Sequence, residues 1–151
     1  MRSETVELEI PFHDVDSLQI VWHGHYAKYF EIARCKLLDS ISYNYRDMEK
    51  SGYSWPIVEM KSKFIRPLSF GQKIRVTASI VEWENRLKIK YLIQDADSGQ
   101  KLSQGYTTQM AVVIATGETC YESPAILRSL IDNTASNTAR NTVSTTENDN
   151  D

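Results

Sequence analysis

The sequence has few of the residues that cross-link small proteins. Its 151 residues include two cysteines, Cys35 and Cys120, which lie in apolar stretches without the spacing of a metal site or a redox pair. A disulfide framework is therefore excluded, and a reduced intracellular environment is favoured. A chain of this length buries roughly two-thirds of its unfolded surface, so it needs no cross-links to form one core.

Long hydrophobic runs are also absent. No apolar run reaches the roughly 18 residues of a membrane span. Residues 1–10 lack the order of basic, apolar and small residues that is typical of a signal peptide. We therefore expect a cytoplasmic protein with no membrane partner.

The main part of the chain has no excess of charge of either sign. The formal net charge of −3 comes from residues 132–151, where Arg140 stands against four carboxylates, and residues 1–131 carry sixteen cations and sixteen anions. A neutral body has no general field that attracts nucleic acid, so we expect no nucleic-acid partner. Any anion-binding site must be local.

Residues 132–151 contain one sizeable apolar side chain, Val143, among five Asn and five Thr. Such a composition cannot offset the entropy of ordering, so we predict a disordered polar C-terminal tail. The folded domain is predicted to span residues 1–131 and to close with a short helix after Pro124.

Hydrophobic periodicity predicts one long helix and five strands. Residues 6–12 alternate between apolar and polar, whereas residues 24–41 repeat at helical spacing. The remaining strands are predicted at 55–65, 73–83, 86–96 and 101–115. Short connections join these four, so we expect neighbours to pair as antiparallel hairpins. The pattern predicts an α+β fold, in which a five-stranded antiparallel sheet wraps around one long helix. The apolar positions of the helix are Tyr26, Tyr29, Phe30, Ala33, Leu37 and Ile41.

Potential catalytic groups crowd the connection between the first strand and the long helix. The segment HDVDSLQIVWHGHY holds Asp14, Asp16, His23 and His25. A loop that leads into a helix presents free backbone N–H groups to an anion, so the segment predicts an oxyanion site beside a carboxylate. In a second interpretation, Asp14 is a turn former and the two histidines are polar loop residues.

Other chemistries fit the segment less well. His-x-His after Asp-x-Asp supplies metal-ligand types, but a helix that starts at Gly24 separates the two rings, and the chain has no HExxH motif. We therefore expect no metal and no cofactor. Nucleophilic serine catalysis lacks its GxSxG elbow, and Cys35 falls in mid-helix.

The segment FHDVDSLQIVWHGHYAKYFEIAR resembles the signature of hotdog-fold acyl-CoA thioesterases of the 4-hydroxybenzoyl-CoA thioesterase family. That signature reads D-x-D-x-x-G-x-V, then an aromatic residue, His or Tyr, and N-Y-x-x-Y-F-E-x-A-R. The later segment FIRPLSFGQKI resembles the family's strand, Pro-containing turn and Gly. The resemblance implies a hotdog thioesterase domain that hydrolyses an acyl thioester of CoA or of acyl carrier protein.

The resemblance also implies roles for matched residues. Asp16 would be the catalytic carboxylate, which either attacks the thioester carbonyl or activates a water. His23, next to Gly24, would offer its backbone N–H to the oxyanion, and Tyr26 would shape the acyl pocket. The family's active site lies at a subunit interface, so we expect a homodimer or a homotetramer. Trp22 is a further candidate for the pocket wall or for plain core.

One position departs from the family pattern. Gln19 stands where the family usually has glycine. If the backbone there is left-handed, a side chain costs about 1 kcal/mol or forces a different loop path.

The strand RLKIKYLIQ alternates strictly, with Arg86, Lys88 and Lys90 on one face. These cations are either the solvated side of a half-buried sheet or a contact for phosphates. The resemblance implies that Arg86 and Lys88 contact the CoA phosphates, although an acidic carrier protein would be attracted as well.

Two other functions remain open from the sequence. A hotdog dehydratase that acts on 3-hydroxyacyl thioesters would use His23 or His25 as base and Glu31 as acid. A non-catalytic module would bind acyl thioesters without hydrolysing them.

Overall fold

The computed structural model describes residues 2–133, in which five antiparallel strands form one sheet with a long helix packed against its inner face. The strand order is β1-β4-β5-β6-β3, and the helix is α1 (Tyr26–Ser40). This architecture confirms the predicted α+β class. The strands are β1 (Ser3–Glu9), β3 (Ile57–Phe64), β4 (Lys73–Glu82), β5 (Leu87–Asp95) and β6 (Lys101–Gln109).

Helix α1 is buried along the face that its periodicity predicts. All six predicted apolar positions, including Ile41 just beyond the helix, are at most 3% exposed. Phe30 stacks on Tyr91 of β5, with ring centroids 4.5 Å apart. Gly105 of β6 allows this approach, because a Cβ there would collide with the Lys61 carbonyl oxygen and would meet the Phe30 ring.

Strand β5 separates an apolar face from a cationic one, as its alternation predicts. Leu87, Ile89, Tyr91 and Ile93 are fully buried against the core, whereas Lys88 and Lys90 project from the opposite, outer face. Burial of each such large apolar side chain stabilises the fold by about 1.5–3 kcal/mol.

The predicted hairpins are correct for β4–β5 and β5–β6 and wrong for β3–β4. Strand β3 pairs with β6 at one end of the sheet, and β4 pairs with β1 near the other. The connection over residues 65–72 crosses between them because it packs on the segment before α1. Leu68 in this connection is fully buried, and its carbonyl accepts a hydrogen bond from the Val21 N–H at 2.9 Å.

The last strand, predicted over residues 101–115, is interrupted. Strand β6 ends at Gln109, and β7 (Val112–Val113) pairs with β2 (Tyr53–Ser54) in a separate two-stranded sheet. Between α1 and β2 the chain forms a second helix, α2 (Tyr45–Lys50). Asn44 and Asp47 cap its first turn reciprocally, and this Asn-x-x-Asp spacing is a local start signal that hydrophobic periodicity does not include.

Residues 125–133 form the predicted closing helix, and Leu127 anchors it in the core. Residues 134–151, which make up most of the predicted tail, lie outside the described residues. None of the helices within residues 2–133 has the length and apolar character that crossing a bilayer requires.

We predict that Gly105→Ala lowers the free energy of unfolding by about 1–3 kcal/mol or more, because the added methyl group overpacks the contact between Phe30 and the β3 backbone. Urea denaturation measures the change. Ser79→Thr adds a methyl group on the outer face of the sheet and serves as the control, with an expected change below about 0.5 kcal/mol. Equal unfolding midpoints for Gly105→Ala and the wild type would contradict the packing argument.

Candidate active site

The chain between β1 and α1 folds into a small hairpin that holds Asp16. An antiparallel bridge joins Val15 to Val21, and the Asp16 N–H donates to the Ile20 carbonyl at 3.0 Å. Ile20 in turn forms a bridge with Ser69 in the connection between β3 and β4. The hairpin therefore pairs with the connection that follows β3, and the chain continues from it into the start of α1.

Asp16 is half-buried at the turn of this hairpin. One carboxylate oxygen, Oδ1, accepts a hydrogen bond from the Leu18 N–H at 2.8 Å, and the Asp16 carbonyl accepts one from Gln19 at 2.9 Å. Gln19 has a φ of 64°, in the left-handed region that suits glycine. A side chain in this region costs about 1 kcal/mol relative to glycine. The turn still presents the carboxylate.

Helix α1 is preceded by a single turn of 3-10 helix, His23–His25. Among residues 2–133, the backbone N–H groups of His23 and Gly24 have no hydrogen-bond acceptor. The Trp22 indole lies over the Cα atom of Gly24, where any Cβ would collide with the ring. Two free amides at a helix start can bind an oxyanion.

The side chains of His23 and His25 flank the Trp22 indole. Their ring centroids lie 5.1 and 5.4 Å from the centroid of the indole. Within the described part of the chain, no group of three His, Cys, Asp or Glu side chains has the arrangement of a metal site.

A cleft of about 340 Å³ brings Asp16, His23 and Tyr26 together. Burial raises the pKa of the Tyr26 hydroxyl, with a backbone hydrogen bond at Leu68 acting in the opposite direction. Trp22 is 48% exposed, so it is not a core residue, and it is not among the residues that line the cleft. The remaining lining is mostly apolar and consists of Leu18, Ile20, Val21, Phe64, Ile65, Arg66 and Pro67.

Asp14 is a buried carboxylate, a feature that its interpretation as a turn former missed. Both of its oxygens accept hydrogen bonds from Lys28 Nζ at 2.7 Å, and Oδ2 accepts one from the Tyr29 hydroxyl at 2.6 Å. Burial alone raises the pKa of Asp14, but the hydrogen bonds from Lys28 and Tyr29 outweigh it and hold that pKa below its usual range. The sequence does not indicate these contacts, because the spacing of residues along the chain does not give the distance between their side chains in the fold.

The predicted phosphate contacts lie elsewhere on the surface. Lys88 lines a second groove, of about 450 Å³, on the outer face of the sheet, and its Nζ lies 4.3 Å from the centre of the Tyr106 ring. Arg86 forms an ion pair with Glu82 at 3.2 Å. No residue lines both this groove and the Asp16 cleft.

Glu31, the acid of the dehydratase hypothesis, lies on α1 outside the lining of either cavity. Its carboxylate is 3.4 Å from the Tyr45 hydroxyl and 3.7 Å from the Arg34 guanidinium. The described residues therefore offer no pairing of Glu31 with His23 or His25 in the Asp16 cleft.

The known proteins that resemble this chain include two that each match about half of it. YneP of Bacillus subtilis (strain 168), named as an acyl-CoA thioesterase, is 31% identical over 83 residues, which are 55% of this chain and 57% of that protein. The chloroplastic acyl-acyl carrier protein thioesterase ATL3 of Arabidopsis thaliana is 35% identical over 75 residues, 50% of this chain and 40% of that protein. The chain thus spans about half the length of these relatives.

The fold and the family follow from two further matches. The crystal structure of Slr0204, a 1,4-dihydroxy-2-naphthoyl-CoA thioesterase from Synechocystis, has a TM-score of 0.74 to this chain at 19% identity and covers 85% of this chain and 95% of its own. This likeness confirms the hotdog fold. A family model matches residues 10–130, and the chain therefore belongs to the Thioesterase-like superfamily, as its signature predicts.

Proposed function

We propose that the protein hydrolyses acyl thioesters of CoA or of acyl carrier protein and releases the carboxylic acid. The observation that carries this proposal is the cleft that Asp16 and His23 both line, beside the free amides of His23 and Gly24. The names of YneP and ATL3 support the two thiol carriers, CoA and carrier protein respectively. Residues 1–131 form the proposed catalytic domain.

The reaction needs a nucleophile and a stabilised oxyanion. In one version, Asp16 takes a proton from a water whose oxygen attacks the thioester carbonyl carbon. In the other, an Asp16 oxygen attacks that carbon itself, and water then hydrolyses the resulting anhydride. In both versions the amides of His23 and Gly24 stabilise the oxyanion, the C–S bond breaks, and the sulfur leaves as a thiolate that is then protonated.

The mostly apolar lining of the cleft supports a substrate with an apolar acyl group. Tyr26 forms part of its wall with Phe64 and Ile65, and among residues 2–133 Arg66 is the one lysine or arginine in its lining. Trp22 lies next to the free amides, because its indole covers Gly24. We propose that Trp22 contacts the substrate near the thioester, whereas Tyr26 contacts the acyl group.

We predict that Asp16→Asn lowers kcat by about 10²-fold or more, because the amide can neither accept the proton nor attack the carbonyl. Release of free thiol from a panel of acyl-CoAs, followed with a thiol reagent, measures the change. Ser17→Ala, at the neighbouring exposed position of the same turn, is the control and should keep wild-type turnover. Near wild-type turnover in Asp16→Asn would refute the assignment, and absence of thiol release by the wild type would refute hydrolysis.

The outer groove is the proposed phosphate site. Four lysines line it, Lys61 and Lys63 on β3 and Lys88 and Lys90 on β5, and no carboxylate of the described residues lies within 4.0 Å of their nitrogens. Because residues 1–131 are neutral overall, the groove is a local concentration of positive charge. Lys88 is the stronger candidate, since Arg86 already pairs with Glu82.

We predict that Lys88→Ala raises KM for acyl-CoA about 3–10-fold at low salt, that Arg86→Ala raises it less, and that both effects shrink as salt increases. Turnover should hardly change, because the contacts are equally strong in the ground and transition states. A pantetheine thioester without the nucleotide should show no difference, and Lys50→Ala on α2 is the matched control. An equal rise in KM for acyl-CoA and for the pantetheine thioester, or no rise for either, would contradict the phosphate contacts.

We also propose that the protein assembles as a homodimer or a homotetramer through β3. This strand is at the edge of the sheet, so one row of its N–H and C=O groups is unpaired within the described residues. Its large apolar side chains are unusually exposed, with Val58 at 55%, Met60 at 50% and Phe64 at 51%. Phe64 also lines the Asp16 cleft, so a partner on β3 would lie next to the site.

We predict that the wild type has at least twice the 17.3 kDa mass of the chain at micromolar concentration, and that Met60→Lys shifts it towards the monomer. Size-exclusion chromatography with light scattering measures the mass. Ile114→Lys, at an equally exposed apolar position beside β7, should not change the assembly. A monomeric wild type would contradict the proposal.

We further propose a cytoplasmic location. Cys35 and Cys120 are both free thiols, which suits a reducing compartment.

A further inference from the structure

Asp14 lies two residues before Asp16, is 1% exposed, and is surrounded by polar groups from α1. Lys28 and Tyr29 bind its two oxygens at 2.6–2.7 Å, and His25 Nδ1 lies 4.0 Å from Oδ1. From the β1 side, His13 Nε2 lies 3.7 Å from the same oxygen. A carboxylate this deeply buried is stable because its hydrogen bonds replace its lost hydration.

The backbone of Asp14 also closes the hairpin that carries Asp16. Its carbonyl accepts a hydrogen bond from the Trp22 N–H at 3.1 Å, one residue beyond the bridge between Val15 and Val21 on each arm. Asp14 therefore joins the two arms of the hairpin through its backbone and attaches the hairpin to α1 through its side chain.

This double attachment links the two parts of the proposed catalytic site, which are the Asp16 carboxylate and the oxyanion-binding amides. The free amides of His23 and Gly24 belong to the turn that begins α1, so they move with the helix. Asp16 belongs to the hairpin, whose tip at residues 17–19 is exposed and includes the left-handed Gln19. Val15 and Val21 pack the base of the hairpin on the core, and Asp14 adds side-chain hydrogen bonds to Lys28 and Tyr29 of α1.

We propose that Asp14 is a positioning residue: held by Lys28 and Tyr29, it sets the distance between the Asp16 carboxylate and the oxyanion-binding amides of His23 and Gly24. This inference rests on the proposed function. A displacement of about 1 Å between a catalytic group and the reacting atoms can lower a rate by up to about 10²-fold, so the anchor acts on kcat rather than on substrate affinity.

The test is a set of variants made in the wild type and in the Asp16→Asn background. We expect Asp14→Asn and Lys28→Met each to lower kcat about tenfold in the wild type, with KM changed less than twofold. In the Asp16→Asn background, where no carboxylate remains to be positioned, we expect neither substitution to lower the residual rate further. Single-turnover assays at high enzyme concentration make that residual rate measurable.

Two controls separate positioning from general stability. Lys28→Arg keeps a cation facing Asp14 and should recover most of the lost kcat. Lys36→Met removes another lysine of α1, one that donates to the Thr5 carbonyl at 2.7 Å, and should leave kcat unchanged. Lys28 is 45% exposed, so its variants should fold even if Asp14→Asn does not.

The outcomes are distinct. Equal losses of kcat in both backgrounds, or unchanged kcat for Lys28→Met in the wild type, would overturn the positioning role while leaving the function of Asp16 intact. Wild-type turnover in Asp16→Asn alone would overturn the proposed function and the positioning role with it.

Discussion

Phe30 of α1 stacks on Tyr91 of β5, and Gly105 of β6 leaves the space that this contact occupies. The contact lies within a continuous core, because the other buried positions of α1 pack against the apolar face of the same sheet. Van der Waals contacts of this kind are weak individually but strong in sum, and a packed core does not deform gradually. The position of α1 relative to the sheet is therefore fixed.

The candidate site depends on that fixed helix. The turn before α1 holds the free amides of His23 and Gly24, and Lys28 and Tyr29 near the beginning of α1 hold Asp14. Val15 and Val21 pack the base of the hairpin against the core, and the charge-assisted hydrogen bonds of Asp14 attach the same base to α1. The rigid helix and the buried ion pair of Asp14 with Lys28 therefore hold Asp16 and the amides of His23 and Gly24 in a defined arrangement.

The sequence by itself determined the class of fold and the region of the site. The helical face of α1 and the alternation of β5 are local patterns, and burial follows them because an apolar stripe is stable only against other apolar surface. The Asp-x-Asp signature likewise identified Asp16 and His23, which prove to line one cleft. The sequence left open whether Gln19 adopts the left-handed backbone of a glycine or a different loop path, and the structure shows the left-handed backbone.

Only the tertiary structure decided which elements meet. The connection after β3 crosses the sheet because Leu68 is buried beneath the segment before α1, a contact between distant residues that short-range patterns do not contain. The same holds for Asp14, whose sequence neighbours suggest a turn and whose partners Lys28 and Tyr29 lie more than a dozen residues away. It holds as well for the lysines of β3 and β5, which meet across β6. Periodicity reports which face of an element is buried, whereas the distance between two elements depends on how the whole chain packs.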